Sequence, residues 1–127
     1  MKRVIKFKFW CKGTDDNANF NKPGWWSIHN HILNKYYPFE LVLSYPEHEF
    51  WNHFDLVQFT GLLDKNDKEI YEGDILEDFD YPVEFSLGQF GSRLIYDQIF
   101  LPLADCKIEE LVVIGNIFES PELLKNE

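Results

Sequence analysis

The stretch Phe59-Thr-Gly-Leu-Leu-Asp-Lys-Asn-Asp-Lys-Glu-Ile-Tyr-Glu-Gly-Asp-Ile-Leu76 contains a complete β-hairpin signal. Residues 55–63 alternate between two faces of a strand, and residues 64–67 supply a tight turn. Ile70 and Tyr71 close the hairpin, Gly73 permits a bend without a Cβ penalty, and Asp74 begins a further strand. The stretch has no catalytic motif and therefore predicts a fold better than a chemistry.

Short strands are predicted on both sides of this hairpin. Ile5, Phe7 and Phe9 alternate with Lys6 and Lys8, which is the period of a half-buried N-terminal strand. Residues 12–24 are rich in Gly, Asn, Asp and Pro and predict a long surface loop. Further strands are predicted at residues 83–85, 93–96 and 111–114, the last as a central strand because it is β-branched. Residues 88–91 are interpreted as a turn or bulge.

The C-terminus carries a helix signal. Ser120, Pro121 and Glu122 provide an N-cap residue, a first-turn proline and an acid near the positive end of the helix dipole. A short C-terminal helix through Leu124 is therefore predicted.

Residues 25–54 form the least regular part of the chain. Trp26, Ile28 and Ile32 approximate one face of a strand over residues 25–33. Pro38 and Pro46 interrupt short apolar pieces such as residues 41–43, which predicts irregular structure with one short strand rather than a helix.

Together these signals predict a mainly β protein, either a small barrel or a strongly bent sheet. The length of 127 residues fits one domain over residues 1–127, with lobes at 1–54 and 55–127 as the alternative. Aromatic residues make up 17% of the chain and bury large areas, so we expect a folded core rather than disorder.

Cysteine use and hydropathy indicate the compartment. The chain has two cysteines, Cys11 and Cys106, and no apolar run near the ~18 residues of a membrane span. The N-terminus lacks the apolar segment of a signal peptide. We expect a cytoplasmic protein with reduced thiols and no membrane contact, and a disulfide between the two cysteines remains the less favoured alternative.

Charge is unevenly distributed. The net charge is −10, yet the first twelve residues contain five basic residues and no acid. Residues 64–84 contain nine carboxylates against Lys65 and Lys68. This segment repels a phosphate backbone and attracts basic partners, although a solubilising face is the simpler interpretation.

Three blocks of the chain resemble the YopX family of phage and prophage proteins. They are Ile5-Lys-Phe-Lys-Phe-Trp10, Gln58-Phe-Thr-Gly-Leu-Leu-Asp-Lys-Asn-Asp-Lys-Glu-Ile-Tyr-Glu-Gly-Asp-Ile75 and Val113-Ile-Gly-Asn-Ile-Phe-Glu-Ser-Pro-Glu-Leu-Leu124. The resemblance implies an SH3-like small barrel in the C-terminal part, with an N-terminal β and loop extension and an origin in a phage or prophage. It implies no reaction.

The chain departs from the family pattern at two places. The family commonly has glycine in the hairpin turn where this chain has Asp67, which tolerates a left-handed conformation at a modest cost. In the aromatic segment of residues 25–54 the sequence shows no motif of the resemblance, which is close over residues 56–124 and reaches the N-terminal half only through its opening strand.

Metal and catalytic sites are weakly indicated. His29 and His31 share one face of a strand, and His48 and His53 follow in the next loop, so a metal-dependent enzyme is one hypothesis. The spacing matches no common metal motif, so neither a metal nor another cofactor is predicted. The first residues of the segment 64–75 match the start of a calcium-binding loop motif. The segment lacks the glycine and the final glutamate of that motif, so a hairpin turn is predicted instead.

Other reactive groups have simpler interpretations. Five carboxylates could supply a general acid and base, but their clustering favours a solvated face; they are Asp74, Glu77, Asp78, Asp80 and Glu84. Cys11 lies near Lys8 and Lys12, yet is interpreted as a buried structural residue. Arg93 is expected to form an ion pair with a nearby acid. The sequence therefore predicts a protein that is not an enzyme.

The aromatic surplus suggests binding. Trp25, Trp26, Tyr36 and Trp51 are the candidate binding residues, with the core as their alternative location. The leading hypothesis is an interaction module that binds a host or phage protein and forms a homo-oligomer. The alternatives are a nucleic-acid-binding barrel that uses the basic N-terminal strand, which the net charge opposes, and an acidic mimic of DNA.

Overall fold

The structure is a computed structural model that describes residues 4–93 and 99–124. Its strands are β1 (Phe7–Lys12), β2 (Pro23–Ser27), β3 (Phe54–Leu63), β4 (Glu69–Tyr71), β5 (Asp74–Leu76), β6 (Glu84–Ser86), β7 (Gln89–Arg93), β8 (Phe100–Pro102) and β9 (Val113–Asn116). Its α-helices are α1 (His31–Tyr36), α2 (Phe39–Ser44) and α3 (Phe50–His53). Short 3-10 helices cover Leu103–Asp105, Ile108–Glu110 and Pro121–Leu123.

The strands form three open sheets, with the orders β2-β1-β3-β4, β5-β9 and β6-β7-β8. The mainly β class is confirmed. In the described part of the chain the sheets do not close into a barrel, and the SH3-like architecture is not confirmed. No helix in the described ranges is long and apolar enough to cross a lipid bilayer.

The described chain divides into two compact units. The N-terminal unit consists of residues 6–57. The C-terminal unit consists of Val4, Ile5 and the described residues from Gln58 onward. The division falls inside β3, a few residues after the boundary between the alternative lobes at 1–54 and 55–127.

Three short helices replace the irregular structure and the strand predicted for residues 34–54, so this prediction is wrong. Asn30 is the N-cap of α1, and its Oδ1 accepts hydrogen bonds from the backbone N–H groups of Ile32 and Leu33 at 2.9 and 3.2 Å. Pro38 is the N-cap of α2, and Pro46 follows the C-cap of that helix. Proline is tolerated at these positions, so the two prolines frame a helix here instead of interrupting one.

Aromatic rings fill the core of the N-terminal unit. Phe9, Phe20, Phe50 and Phe54 are almost completely buried, and Tyr37 joins the same cluster. The rings of Phe50 and Phe54 stack with centroids 4.5 Å apart, while Phe9 meets Phe50 edge to face at 5.2 Å. Each ring pair adds to the free energy of folding gained by burial. Many of the aromatic residues of the chain therefore stabilise this core.

Asp64 joins the β3–β4 turn to β9 in the C-terminal unit. Its Oδ1 accepts hydrogen bonds from the N–H groups of Asn66 and Lys68 at 2.8 and 2.9 Å. Its Oδ2 accepts one from the N–H of Val113 at 2.9 Å. The predicted hairpin turn is confirmed, and Asp67 has the expected left-handed conformation with φ of 63°.

The pairing of β5 with β9 joins two of the blocks that resemble the YopX family, residues 58–75 and residues 113–124. Asp74 pairs with Asn116 and Ile75 with Gly115. Gly73 has φ of 85°, and a Cβ there would lie 3.2 Å from the Phe118 ring. Asp74 Oδ2 accepts a hydrogen bond from the Tyr71 N–H at 2.8 Å. The most recognisable residues of the chain therefore have structural roles.

Several strand boundaries differ from the predictions. β5 ends at Leu76 instead of continuing toward Asp80, and β9 begins at Val113 in a two-stranded sheet rather than in a sheet centre. The turn near residue 88 lies at residues 87–88, because residues 89–90 already belong to β7. The strand predicted at residues 93–96 includes Arg93 at the end of β7, and residues 94–96 lie outside the described residues.

The predicted C-terminal helix is present as a single 3-10 turn, Pro121–Leu123. The Ser120 side chain makes no capping hydrogen bond to it. The segment before this turn has a side-chain acceptor in Asn116, whose Oδ1 accepts hydrogen bonds from the N–H groups of Phe118 and Glu119 at 3.0 and 2.8 Å. This Asn-centred turn before Ser120 was not expected from the sequence.

Removal of the Asp64 carboxylate is expected to destabilise the protein. Asp64→Ala leaves three backbone N–H groups without their acceptor, so the free energy of unfolding falls by about 3 kcal/mol. Urea titration measures this change, with Glu109→Ala, which removes an exposed carboxylate, as the control. Equal stability of the two variants would contradict a structural role for Asp64.

The same carboxylate also predicts a pH dependence. Burial by itself raises the pKa of Asp64, but the N–H groups of Val113, Lys68 and Asn66 outweigh burial and hold it below its usual value. The stabilisation is therefore present above the unfolded pKa of about 4 and is lost as pH falls through the lower folded pKa. Asp64→Asn does not titrate, so its stability deficit relative to the wild type shrinks on acidification. If the stability difference between Asp64→Asn and the wild type stayed constant as the pH fell below the folded pKa of Asp64, the lowered pKa would be contradicted.

Candidate apolar binding site

The N-terminal unit contains a half-open pocket with an apolar lining and a volume of about 80 Å³. It is lined by Phe7, Phe9, Ile28, Phe39, Leu43 and Leu56. We call it the apolar pocket.

Local geometry explains why these side chains meet. Phe7 and Phe9 are two residues apart on β1 and therefore point to the same face of the sheet. Phe39 and Leu43 are four residues apart on α2 and share one side of the helix. The Phe9 and Phe39 rings contact each other with centroids 5.3 Å apart, which joins the strand wall to the helix wall.

The size of the apolar pocket selects its occupant. An apolar cavity of about 150 Å³ holds benzene, which has six carbon atoms. The volume of about 80 Å³ in this pocket is therefore enough for about three or four carbon atoms. This is the size of a Val, Leu, Ile or Met side chain, and it is small for an indole. The lining carries no group that donates or accepts a proton, so the arrangement can bind an apolar group but supplies no acid–base chemistry.

Exposed apolar residues lie on more than one side of α2, because Leu41 is about 200° around the helix from Leu43. Leu43 is 59% exposed although it lines the pocket, and Leu41 and Tyr45 are 47% and 51% exposed. The sequence pattern predicts irregular structure with one short strand for this region, so it does not indicate this site. The spacing of Phe39 and Leu43 directly after Pro38 is the signal that indicates the helix and its apolar side.

The four predicted binding residues do not form one patch. Trp26 and Trp51 pack against the aromatic core, and Trp51 Nε1 donates a hydrogen bond to the Val42 carbonyl oxygen at 3.3 Å. Tyr36 is 45% exposed and meets Phe20 edge to face. Trp25 is next to Trp26 on β2 and so points to the opposite face. A binding role for these residues remains a prediction.

Trp25 belongs to a second aromatic group on the β1–β2 hairpin. It lies directly opposite Trp10, and the two rings meet with centroids 5.0 Å apart. The Lys8 ammonium lies 4.1 Å from the centroid of the Trp25 ring, which is a favourable cation–π geometry. We call Lys8, Trp10 and Trp25 the tryptophan ladder.

Two of the four histidines form hydrogen bonds through a ring nitrogen. His53 Nδ1 is 3.0 Å from the Thr14 hydroxyl, and His48 Nδ1 accepts a hydrogen bond from the Phe50 N–H at 3.0 Å. His29 and His31 do not share a strand, since β2 ends at Ser27 and α1 begins at His31. Among the described residues no three His, Cys, Asp or Glu side chains are grouped to hold a metal ion.

Cys11 is fully buried, as predicted. Burial raises the pKa of its thiol, which donates a hydrogen bond to the Phe20 carbonyl oxygen. Cys106 is half-buried, and both cysteines are free thiols. A raised pKa means less thiolate at neutral pH, so Cys11 is a poor nucleophile.

The acidic segment is divided between structural and exposed carboxylates. Asp64 and Asp74 are buried and accept backbone hydrogen bonds, whereas Glu77 and Asp78 are exposed. Arg93 Nε lies 2.7 Å from Glu84 Oε1, which confirms the predicted ion pair. The five carboxylates proposed as acids or bases therefore differ in environment.

The fold and the site define a small, mainly β protein with open sheets and an apolar pocket in its N-terminal unit. A family model described as YopX protein matches residues 6–125, so the chain belongs to the YopX family. The chain is also similar to the crystal structure of protein EF1440 from Enterococcus faecalis, with 21% identity and a TM-score of 0.54. That similarity covers 98% of this chain and 100% of the other, and it supports the fold alone. No curated protein matches the chain.

The apolar pocket is expected to distinguish side chains by size. N-acetyl-leucinamide should shift the methyl NMR signals of Ile28 and Leu43 with millimolar or weaker affinity, since one buried aliphatic side chain contributes about 2 kcal/mol. N-acetyl-tryptophanamide should give smaller shifts at the same concentration because its ring exceeds the pocket. Equal shifts for both compounds, or none, would contradict the assigned size.

Proposed function

We propose that this protein is a non-enzymatic interaction module whose apolar pocket holds one aliphatic side chain of a partner protein. The observation that carries the proposal is the combination of a preformed apolar lining with the exposure of Leu43 at its edge. Burial of this lining by a partner would release a favourable hydrophobic free energy.

The surroundings of the apolar pocket support a protein partner. Leu43 lines the pocket and is 59% exposed, so an apolar face of a partner can cover its outer side as well as fill the pocket. Interaction surfaces commonly combine an apolar anchor pocket with neighbouring side chains that exclude water. The proposal keeps the protein in the cytoplasm of a bacterial host, in agreement with two free thiols and with the phage or prophage origin implied by the resemblance.

Two leucines on α2 provide a matched test. Leu43→Asp places a carboxylate at the apolar pocket, whereas Leu41→Asp changes another exposed leucine of the same helix that does not line the pocket. Proteins retained from host lysate by the wild type are expected to bind L41D and to be lost from L43D, because an ion next to apolar surface is costly to desolvate. Mass spectrometry after nuclease treatment identifies them.

Two controls make this test decisive. Circular dichroism and thermal melting establish that L43D and L41D fold equally well, as expected for exposed positions. Retention of the same proteins by L43D as by the wild type would overturn the proposed role of the apolar pocket.

A second candidate function, binding of single-stranded nucleic acid, is favoured by the tryptophan ladder. Residues 6–12 contain three lysines and no acid, and tryptophan rings stack well on bases. The net charge of −10 opposes this function.

Fluorescence anisotropy with a labelled oligothymidine tests the second candidate. If it is correct, Trp25→Ala weakens binding, and the affinity of the wild type falls steeply as salt increases, because displaced counterions favour the free state at high salt. The absence of binding at low salt would exclude it.

A further inference from the structure

The β6–β7 hairpin of the C-terminal unit has a strained turn. Ser86 pairs with Gln89, so Leu87 and Gly88 form a two-residue loop. Their φ angles are 52° and 79°, and both residues are therefore left-handed, as a type I′ turn requires. Glycine, asparagine and aspartate adopt this conformation readily, whereas the Cβ of a leucine is crowded by the backbone. Leu87 is 90% exposed and gains little from burial in its own fold, so the fold does not compensate this strain.

Apolar surface continues from Leu87 down one face of the hairpin. Phe90 and Ser92 are two residues apart on β7 and point to the same face, and Phe85 lies opposite Phe90. Ser92 is fully buried, and its hydroxyl donates a hydrogen bond to the Tyr81 carbonyl oxygen at 2.6 Å. The C-terminal unit itself therefore covers this face near Ser92. Toward the turn the cover ends, because Phe85 is 56% exposed.

The hairpin holds these side chains in place. The rings of Phe85 and Phe90 meet edge to face with centroids 4.9 Å apart. On the other face, Arg93 Nε lies 2.7 Å from Glu84 Oε1, which ties β7 to β6. Because both strands are fixed before any partner arrives, binding through them loses little conformational entropy. We call three of these residues the hairpin tip: Phe85, Leu87 and Phe90.

The C-terminal unit is strongly acidic. Residues 58–124 contain fifteen acids against four basic residues, a net charge of −11. On the hairpin, the charge of Arg93 is balanced by Glu84. The unit therefore has a negative potential that attracts cationic groups from solution.

Acids also adjoin the hairpin through two neighbouring segments. Residues 77–80 carry three acids and no basic residue, and the Asp80 N–H donates a hydrogen bond to the Arg93 carbonyl oxygen at the end of β7. The 3-10 helix Leu103–Asp105 packs against β7. It leads into residues 105–110, which carry three acids against one lysine. The negative charge of the unit thus reaches the strands that carry the hairpin tip.

We propose that the hairpin tip docks into an apolar recess of a basic partner protein. Leu87 is the anchor, and lysine or arginine residues of the partner face the acids around the hairpin. An apolar centre inside a rim of complementary charge is a common arrangement of protein interfaces. The hairpin tip belongs to the C-terminal unit and the apolar pocket to the N-terminal unit, so this inference goes beyond the proposed function and does not depend on it.

Charge selects this occupant over three others. Nucleic acid and anionic lipid are repelled by the acids of the C-terminal unit. A second copy of the chain offers no unit with a net positive charge, because its residues 6–57 carry six acids against five lysines. A basic protein is the occupant that both the apolar tip and its acidic surroundings attract.

Two designed peptides test the inference with the full chain. One is an amphipathic helix of leucine and lysine, and the other replaces each leucine with alanine, which keeps the charge and the helix propensity. Calorimetric titration should show that the leucine–lysine peptide binds the wild type more tightly than the alanine–lysine peptide does. The amide NMR signals of residues 85–90 should shift when the leucine–lysine peptide binds.

A matched pair of variants identifies the anchor. Leu87→Asn should weaken binding of the leucine–lysine peptide about tenfold, because the burial of one aliphatic side chain is lost. Leu63→Asn makes the same change at another exposed leucine of the same unit, on the β3–β4 hairpin, and should bind like the wild type. Equal binding by L87N and the wild type, or signal shifts that leave out residues 85–90, would overturn the inference.

Thermal melting separates a docking role for Leu87 from a structural one. L87N should melt about 3 °C above the wild type, because asparagine suits the left-handed turn better than leucine. Leu87→Gly, which also permits this turn, should weaken peptide binding to the same extent. A melting temperature of L87N below that of the wild type would mean that Leu87 stabilises the fold, and would overturn the inference.

The other occupants are tested with the same variant. Vesicles of phosphatidylglycerol and phosphatidylcholine should not bind the wild type, and its sedimentation coefficient should not rise with concentration in a way that L87N abolishes. Vesicle binding that L87N abolishes would assign the hairpin tip to a membrane surface. Self-association that L87N abolishes would assign it to a second copy, and either result would overturn the basic partner.

Discussion

The carboxylate of Asp64 organises the C-terminal unit, because it satisfies backbone N–H groups of its own turn and the N–H of Val113, which lies 49 residues further along the chain. Two of its hydrogen bonds close the β3–β4 turn, and the third fixes the start of β9 at Val113. The Lys65 N–H donates to the Leu111 carbonyl oxygen at 2.8 Å and strengthens the same junction. With β9 held there, β5 can pair with it and bury Ile75 and Leu76. A buried charge is tolerated at this position because each of its oxygens has a donor.

The N-terminal unit depends on a different interaction, the packing of aromatic rings. Phe9 from β1, Phe20 from the long loop and Phe50 from α3 converge on Phe54, so elements of only a few residues each become part of one core. Short helices of four to six residues are not stable alone, and tertiary packing is what stabilises them. The apolar pocket lies where this packing ends, with Phe9 shared between core and pocket. The site is thus a continuation of the core to the surface.

Much of the candidate site was beyond prediction, for physical reasons. Neighbouring aromatics such as Trp25 and Trp26 point to opposite faces of one strand, so a dense aromatic segment in the sequence separates into a core contribution and a surface contribution. The apolar side of α2, with Leu43, is not evident from the sequence because a helix of six residues shows less than two turns of its period.

The sequence by itself determined the mainly β class, the β3–β4 hairpin and the family. These features depend on residues close in the chain, where strand alternation and turn chemistry act locally. The tertiary structure decided that the sheets stay open, that residues 31–53 form helices and that the apolar pocket exists. Each of these depends on contacts between residues distant in sequence, such as Phe9 with Phe39 or Asp64 with Val113, and no local pattern encodes which distant partners meet.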